Sequence, residues 1–142
     1  MKVFKHASAI WNGTVPAGTG SMKLGRVGEV LPFSLKSRVE DVPMTNPEEL
    51  IGAAHAGCFS MALSSLIEEE GKVPGTVETS AKVTLEQRDD GFWISEINLI
   101  TRGSNQAMTN DEFVALAEKA KTTCPVSKLD SSATITLDAA LA

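Results

Sequence analysis

The chain has 142 residues, which is enough for one domain with a buried core but short for two, so we predict a single domain over residues 1–142. Its composition, 42% apolar and 22% charged, is globular and excludes a disordered or fibrous chain. The formal net charge is −5, and no cluster of Lys or Arg stands out. This argues against a nucleic-acid partner and against attraction to an anionic membrane.

The first part of the chain is predicted to form three strands. Residues 3–11 alternate loosely between apolar and polar side chains, and a turn-rich stretch follows. Two further short strands are predicted around residues 20–24 and 31–39. Pro43 then breaks the chain before the first helix.

A long helix comes next, with signals at both ends. Asn46 is a natural N-cap, Pro47 suits the first helical position, and Glu49 completes the capping pattern. Gly71 is predicted to end the helix. Apolar residues over 50–67 cover most of its circumference, so we expect it at the centre of the molecule. The Gly, His, Cys and Ser within that run favour a buried helix over a membrane span.

The remaining elements are predicted to be a hairpin, a helix and a last strand. A clean alternation, the turn RDDG and the segment FWISEINLIT predict a hairpin over residues 77–101. Thr109 and Glu112 have capping-box spacing at the start of an amphipathic helix. Residues 133–137 alternate as a final strand. The order β-β-β-α-β-β-α-β belongs to the α+β class.

The chain contains two cysteines, Cys58 within the long helix and Cys124 directly before Pro125. Free Cys is often buried simply as a small hydrophobe, so neither position alone indicates chemistry. Cys124 is predicted to end one element and cap a short following one, which would place its sulfur near free backbone N–H groups. Because we see no secretory signal, we expect a reducing cytoplasm, where a lasting structural disulfide is disfavoured.

The segments TNPEELIGAAHAGCFSMAL and TTCPVSK resemble the OsmC/Ohr family, the osmotically inducible and organic-hydroperoxide-resistance proteins. Within the first segment, the motif AAHAGCFSMAL is more similar to the OsmC branch than to the Ohr branch. The resemblance implies a cofactor-free thiol peroxidase that acts on organic hydroperoxides in oxidative and osmotic stress defence. It also implies an α+β fold with a long central helix and an intertwined homodimer.

The resemblance also implies roles for four residues. Cys58 attacks the O–O bond of a hydroperoxide and becomes a sulfenic acid, and Cys124 condenses with it to a disulfide. An external dithiol, such as a lipoylated protein or dithiothreitol, restores the pair. Glu48 holds an arginine beside the thiolate, and Arg38, in the strand predicted before the helix, occupies the family's arginine position. Arg26 is the alternative arginine.

The spacing of Glu48 and Cys58 bears on the oligomeric state. Ten residues separate them, which is ~15 Å along a straight helix. Two antiparallel copies crossing near Ala53, within a stretch of small residues, would bring Glu48 of one chain level with Cys58 of the other. We therefore hypothesise an isologous homodimer whose active sites are each assembled from both chains.

Two other functions remain open. Cys58 alone would suit a cysteine hydrolase or an acyl- or sulfur-transfer enzyme, whereas two inert buried cysteines would suit a non-enzymatic ligand-binding stress protein. We interpret His55, one turn before Cys58, as a core or interface residue rather than a general base. A zinc site is not predicted, because the His and Cys spacing matches no structural zinc pattern.

Overall fold

The structure, a computed structural model, describes residues 1–104 and 107–129 of the chain. Its elements in chain order are β1 (Ala7–Asn12), β2 (Thr19–Leu24), β3 (Val30–Phe33), α1 (Leu35–Val39), α2 (Pro47–Glu69), β4 (Thr76–Arg88), β5 (Gly91–Ser104) and α3 (Asn110–Thr123). Strands in runs around a long helix confirm the predicted α+β class. The predicted last strand, over residues 133–137, lies outside the described residues.

The chain forms two compact units that are interleaved in sequence. The first unit contains Met1–Ile51 and Val83–Glu96, and the second contains Gly52–Lys82 and the described residues from Ile97 onward. Helix α2 and strands β4 and β5 each contribute residues to both units. That residues 1–142 act as a single domain remains a prediction.

The first unit contains a three-stranded sheet with the order β1-β2-β3, in which both pairs are antiparallel. On the central strand, Gly20 pairs with Trp11 on one side and Phe33 on the other. The two rings lie 5.5 Å apart between centroids. A Cβ at position 20 would come within 2.5 Å of the Phe33 ring and 2.7 Å of the Trp11 ring. The glycine therefore lets both rings cover the central strand.

A short helix replaces the second half of the third predicted strand, so the prediction of a strand over residues 31–39 is wrong for residues 35–39. The backbone N–H of Ser37 donates to Oγ of Ser34 at 3.2 Å, and the N–H of Ser34 donates to Oγ of Ser37 at 3.0 Å. The Ser37 hydroxyl also donates to the carbonyl of Thr45 at 2.9 Å. These local hydrogen bonds stabilise a helical turn where the apolar alternation indicated a strand.

Helix α2 begins and ends with the capping residues that its sequence predicts. Oδ1 of Asn46 accepts a hydrogen bond from the N–H of Glu49 at 2.8 Å. Gly71 has a φ of +71° just beyond the C-terminus. The N–H of Lys72 then donates to the carbonyl of Ile67 at 3.2 Å, which completes a Schellman motif.

The core of the second unit packs one face of α2 against the end of α3. Its buried members are Phe59, Leu63, Leu66, Ile67, Ala120 and Cys124. By length and composition alone α2 could also cross a membrane. Because its buried side chains belong to this core, we interpret α2 as the core helix of a globular fold.

The opposite face of α2 carries small or apolar residues that are exposed in the single chain. Met61 is 77% exposed, and Ala53 is exposed as well. A Cβ added at Gly57 would meet no atom within 4 Å. Helix α2 therefore lies in the middle of the element order, and only one of its faces is buried in the single chain.

The predicted hairpin is present as a two-stranded sheet of β4 and β5. Two residues connect the strands, and Gly91 follows them with a φ of +127°. In the second unit the hairpin is joined to α2 by hydroxyl groups. The Ser60 hydroxyl donates to Oγ1 of Thr79 at 2.8 Å, and Thr79 lies 3.0 Å from Oγ1 of Thr101.

Candidate active site

Cys124 lies where the sequence places it, at the C-terminal cap of α3. The helix begins with the predicted capping box, in which the N–H of Thr109 donates to Oε2 of Glu112 at 2.8 Å. It ends at Cys124, and a turn follows from Pro125. The N–H of Lys128 donates to the carbonyl of Cys124 at 3.2 Å, and this bond closes the turn.

The two cysteines, far apart in sequence, meet in the second unit. Their sulfur atoms lie 2.9 Å apart, and both are free thiols. Cys124 is fully buried, whereas Cys58 is half-buried on α2. A disulfide has an S–S distance of about 2.05 Å, so the sulfurs need to approach by only about 1 Å to form one.

The two thiols differ in how readily they lose a proton. Burial raises the pKa of Cys58, and its hydrogen bond with Cys124 raises that pKa further. Burial also opposes ionisation of Cys124, but the pKa of Cys124 is lowered by its hydrogen bond with Cys58 and by the backbone N–H groups of Ser127 and Val126. Within the pair, Cys124 is therefore the more acidic thiol, in agreement with the predicted backbone N–H groups.

Arg38 and Glu48 form a second pair, in the first unit. Nη2 of Arg38 donates to Oε1 of Glu48 at 2.6 Å, and Nε donates to Oε1 and Oε2 at 3.1 and 3.3 Å. The Glu48 side chain is 9% exposed and that of Arg38 is 35% exposed. Nη1 of Arg38 has no hydrogen-bond partner among residues 1–104 and 107–129, so it can face a ligand.

Arg38 lies on α1, so its predicted place on a strand is wrong, for the reason given by the Ser34–Ser37 capping box. The alternative arginine, Arg26, lies between β2 and β3 and forms no ion pair within the described part of the chain. The structure thus brings together Cys58 with Cys124 and Arg38 with Glu48. The catalytic roles of all four remain predictions.

Two cavities of the first unit are lined by the Arg38 side chain. One, of about 250 Å³, is also lined by Trp11, Val15, Phe33, Ser34 and Leu35. The other, of about 420 Å³, is also lined by Leu35, Val39, Leu85, Gln87 and Phe92. Both place a cationic group against mostly apolar side chains.

His55 and Ser127 lie beside the cysteine pair. Nε2 of His55 is 2.8 Å from Oγ of Ser127, and His55 is buried. Ser127 was not singled out from the sequence, although a hydroxyl three residues after a helix-ending cysteine is a recognisable signal. Within the parts of the chain that the structure describes, no group of three or more His, Cys, Asp or Glu residues could hold a metal ion.

The chain is similar to proteins of known families over most of its length. Residues 40–138 match the family described as OsmC-like protein. Peroxiredoxin OsmC of Escherichia coli (strain K12) is 40% identical over 139 residues, which cover 97% of this chain and 96% of that protein. Organic hydroperoxide resistance protein OhrA of Bacillus subtilis (strain 168) is 35% identical over 89 residues, 61% of this chain and 60% of its own.

A solved structure has the same fold. The crystal structure of an organic hydroperoxide resistance protein from Elizabethkingia anophelis superposes with a TM-score of 0.71 at 26% sequence identity. The match covers 92% of this chain and 91% of that one. The long helix and the strand runs therefore belong to an architecture already seen in crystals.

Proposed function

The chain belongs to the OsmC-like protein family, and on this premise we propose how its cysteines act. It is a thiol-dependent peroxidase of oxidative and osmotic stress defence that reduces organic hydroperoxides to alcohols. The relatives named peroxiredoxin and organic hydroperoxide resistance protein support this activity. The observation that carries the mechanism is the 2.9 Å distance between the sulfurs of Cys58 and Cys124.

The proposed reaction has three steps. The Cys58 thiolate attacks the terminal oxygen of the hydroperoxide, the O–O bond breaks, and the alkoxide takes a proton and leaves as the alcohol. The Cys124 thiolate attacks the sulfur of the resulting sulfenic acid, the S–O bond breaks, and hydroxide leaves and is protonated to water. An external dithiol, such as a lipoylated protein, then reduces the disulfide by exchange.

Arg38 and Glu48 are proposed to support the first step. Burial and the neighbouring Cys124 both disfavour a thiolate on Cys58, so the attacking sulfur requires a nearby cation. The guanidinium of Arg38, held by two of its nitrogens on Glu48, is pre-oriented for this role. Arg26 is the alternative source of the charge.

A homodimer is proposed to complete the site. Glu48 and Cys58 lie on one helix, ~15 Å apart along its axis. A second copy of α2 that crosses the first would therefore bring the Glu48 carboxylate of one protomer closer to the Cys58 thiol of the other. The exposed face with Ala53 and Gly57 supports a close crossing of two helices. Each active site would then contain residues of both protomers.

The substrate class and the setting follow from the same residues. The apolar side chains around Arg38 support an organic group on the peroxide rather than hydrogen peroxide alone. Two free thiols support a reducing, cytoplasmic location in which an external dithiol is present.

The test is intact-mass analysis after one equivalent of an organic hydroperoxide. The chain should lose two hydrogens as the disulfide forms, Cys58→Ser should not change in mass, and Cys124→Ser should gain oxygen on Cys58. An unchanged mass in the natural chain would refute the mechanism and favour inert buried thiols. Turnover that is indifferent to Cys124→Ser would instead favour a hydrolase or transferase.

A further inference from the structure

His55 is a buried polar residue that the reaction above does not use. It is 8% exposed and lies on α2, one turn before Cys58. Its Nε2 is 2.8 Å from Oγ of Ser127, whereas its Nδ1 is buried without a hydrogen-bond partner among the described residues. A buried histidine with one bonded and one unbonded nitrogen constrains where its proton lies.

The proton of a neutral His55 belongs on Nε2. Buried N–H groups without a partner are rarer than incompletely satisfied acceptors, since a lost donor bond is expensive in a dry site. Nδ1 is therefore the bare acceptor and Nε2–H donates to Oγ of Ser127. With its oxygen accepting from His55, the Ser127 hydroxyl has its own hydrogen free to donate onward.

The acceptor of that hydrogen is the sulfur of Cys124. The turn after α3, closed by the bond from the Lys128 N–H to the Cys124 carbonyl at 3.2 Å, returns Ser127 to the cysteine. Both the hydroxyl and the backbone N–H of Ser127 donate to the sulfur, which helps to lower the pKa of Cys124. Ser127 thus lies between two hydrogen bonds, its own with His55 and the one between the sulfurs of Cys124 and Cys58.

We propose that His55 is a positioning residue that aims the Ser127 hydroxyl at the sulfur of Cys124 and so holds this sulfur ready as a thiolate. The consequence for the reaction rests on the proposed function. The Cys124 thiolate attacks the sulfenic acid of Cys58 promptly, hydroxide leaves and takes a proton from solvent, and Ser127 keeps its own proton. Fast resolution protects Cys58 from further oxidation.

The first test needs no peroxide. In a Cys58→Ser background, ultraviolet absorbance of the thiolate against pH reports Cys124 alone, even though that sulfur is buried. Ser127→Ala should raise the midpoint by about one pH unit, because one donor to the thiolate is lost, which is a tenfold smaller thiolate fraction below the midpoint. His55→Leu should shift the midpoint in the same direction, and His55→Gln, whose amide can donate to Ser127, should restore much of it.

The matched control is Ser60→Ala, which removes a hydroxyl hydrogen bond from the same helix to Thr79 rather than a donor to Cys124. It should leave the midpoint unchanged. An unchanged midpoint in Ser127→Ala overturns the proposal. If His55→Leu does not fold, the Ser127→Ala titration still provides this test.

The second test concerns the reaction and separates the two hypotheses. With Cys58 present and hydroperoxide in excess, Ser127→Ala should accumulate several times more sulfinic acid on Cys58 than the natural chain, as measured by intact mass. A shifted midpoint without any peroxide-dependent mass change would overturn the peroxidase mechanism and leave the positioning role intact. Normal disulfide formation with no midpoint shift would overturn the positioning role and leave the peroxidase mechanism intact.

Discussion

At the scale of single residues, the two cysteines show how identical thiols acquire different reactivity. Their sulfurs are 2.9 Å apart, so they titrate as a coupled pair and the loss of one proton hinders the loss of the second. Val126 donates to both sulfurs but Ser127 donates only to Cys124, and this asymmetry makes Cys124 the more acidic of the two thiols. Ionisation of Cys58 therefore requires a nearby cation, which is the role proposed for Arg38.

The residue-scale prediction concerns the geometry of that cation. Arg38→Lys keeps the charge but loses the two-nitrogen contact with Glu48, and Glu48→Gln removes the charged partner. A hydrogen bond to a charged group contributes roughly 1.5–3 kcal/mol, so each change should slow disulfide formation after organic hydroperoxide by about tenfold or more. Quenched samples analysed by intact mass give the rate constant.

Arg88→Lys is the matched control, since Arg88 also binds a glutamate, Glu86, but at the exposed end of the hairpin. It should react at the natural rate. If Arg26→Lys slows the reaction while Arg38→Lys does not, Arg26 rather than Arg38 is the cation that stabilises the Cys58 thiolate.

At the scale of elements, the sequence patterns succeed where the signal is local. Asn46, Gly71 and the Thr109–Glu112 box lie where they were predicted, because a cap depends on backbone groups within one turn. The alternation over residues 31–39 failed, because two serines satisfied their bonds in a helical turn instead.

The element-scale prediction tests the start of α2. Asn46→Ala removes the bond to the Glu49 N–H, so the free energy of unfolding should fall by about 1 kcal/mol. Asn46→Ser can still accept that bond and should retain most of the stability. Urea denaturation of both variants provides the comparison, and equal losses in both would show that the side chain does not act as a cap.

At the scale of the whole molecule, the two faces of α2 differ in their exposure to solvent. One face is buried with Leu63 and Ile67, which are fully inaccessible. The other, with Ala53 and Gly57, is open in a single chain although its residues are small or apolar. A buried core explains the first face, and the proposed second protomer explains the second.

The molecular-scale prediction tests this dimer. Ala53→Leu should be tolerated by an isolated chain, because the position is exposed and Leu is nearly as good a helix former as Ala. At a close helix crossing it should clash, so light scattering should show dissociation and peroxidase activity should fall with it.

Ser65→Leu, also exposed on α2 but three turns from the crossing, is the control and should remain dimeric. A monomeric species with full peroxidase activity would contradict the assembly of each site from two chains.

The sequence by itself determined the class of the fold, the caps of both long helices and the hairpin. Through its resemblance to a family it also predicted roles for the two cysteines and for Glu48 with Arg38, with Arg26 as the alternative arginine. Caps and periodicities are read from neighbours a few residues away, and these contacts survive almost any tertiary arrangement.

Only the tertiary structure decided that Cys58 and Cys124 lie 2.9 Å apart, that Arg38 sits on a helix, and that His55 meets Ser127 across 72 positions of sequence. Distances of that kind depend on how α2 and α3 pack. The order in which the two thiols lose their protons depends in turn on burial and on donors that only this packing brings to the sulfur.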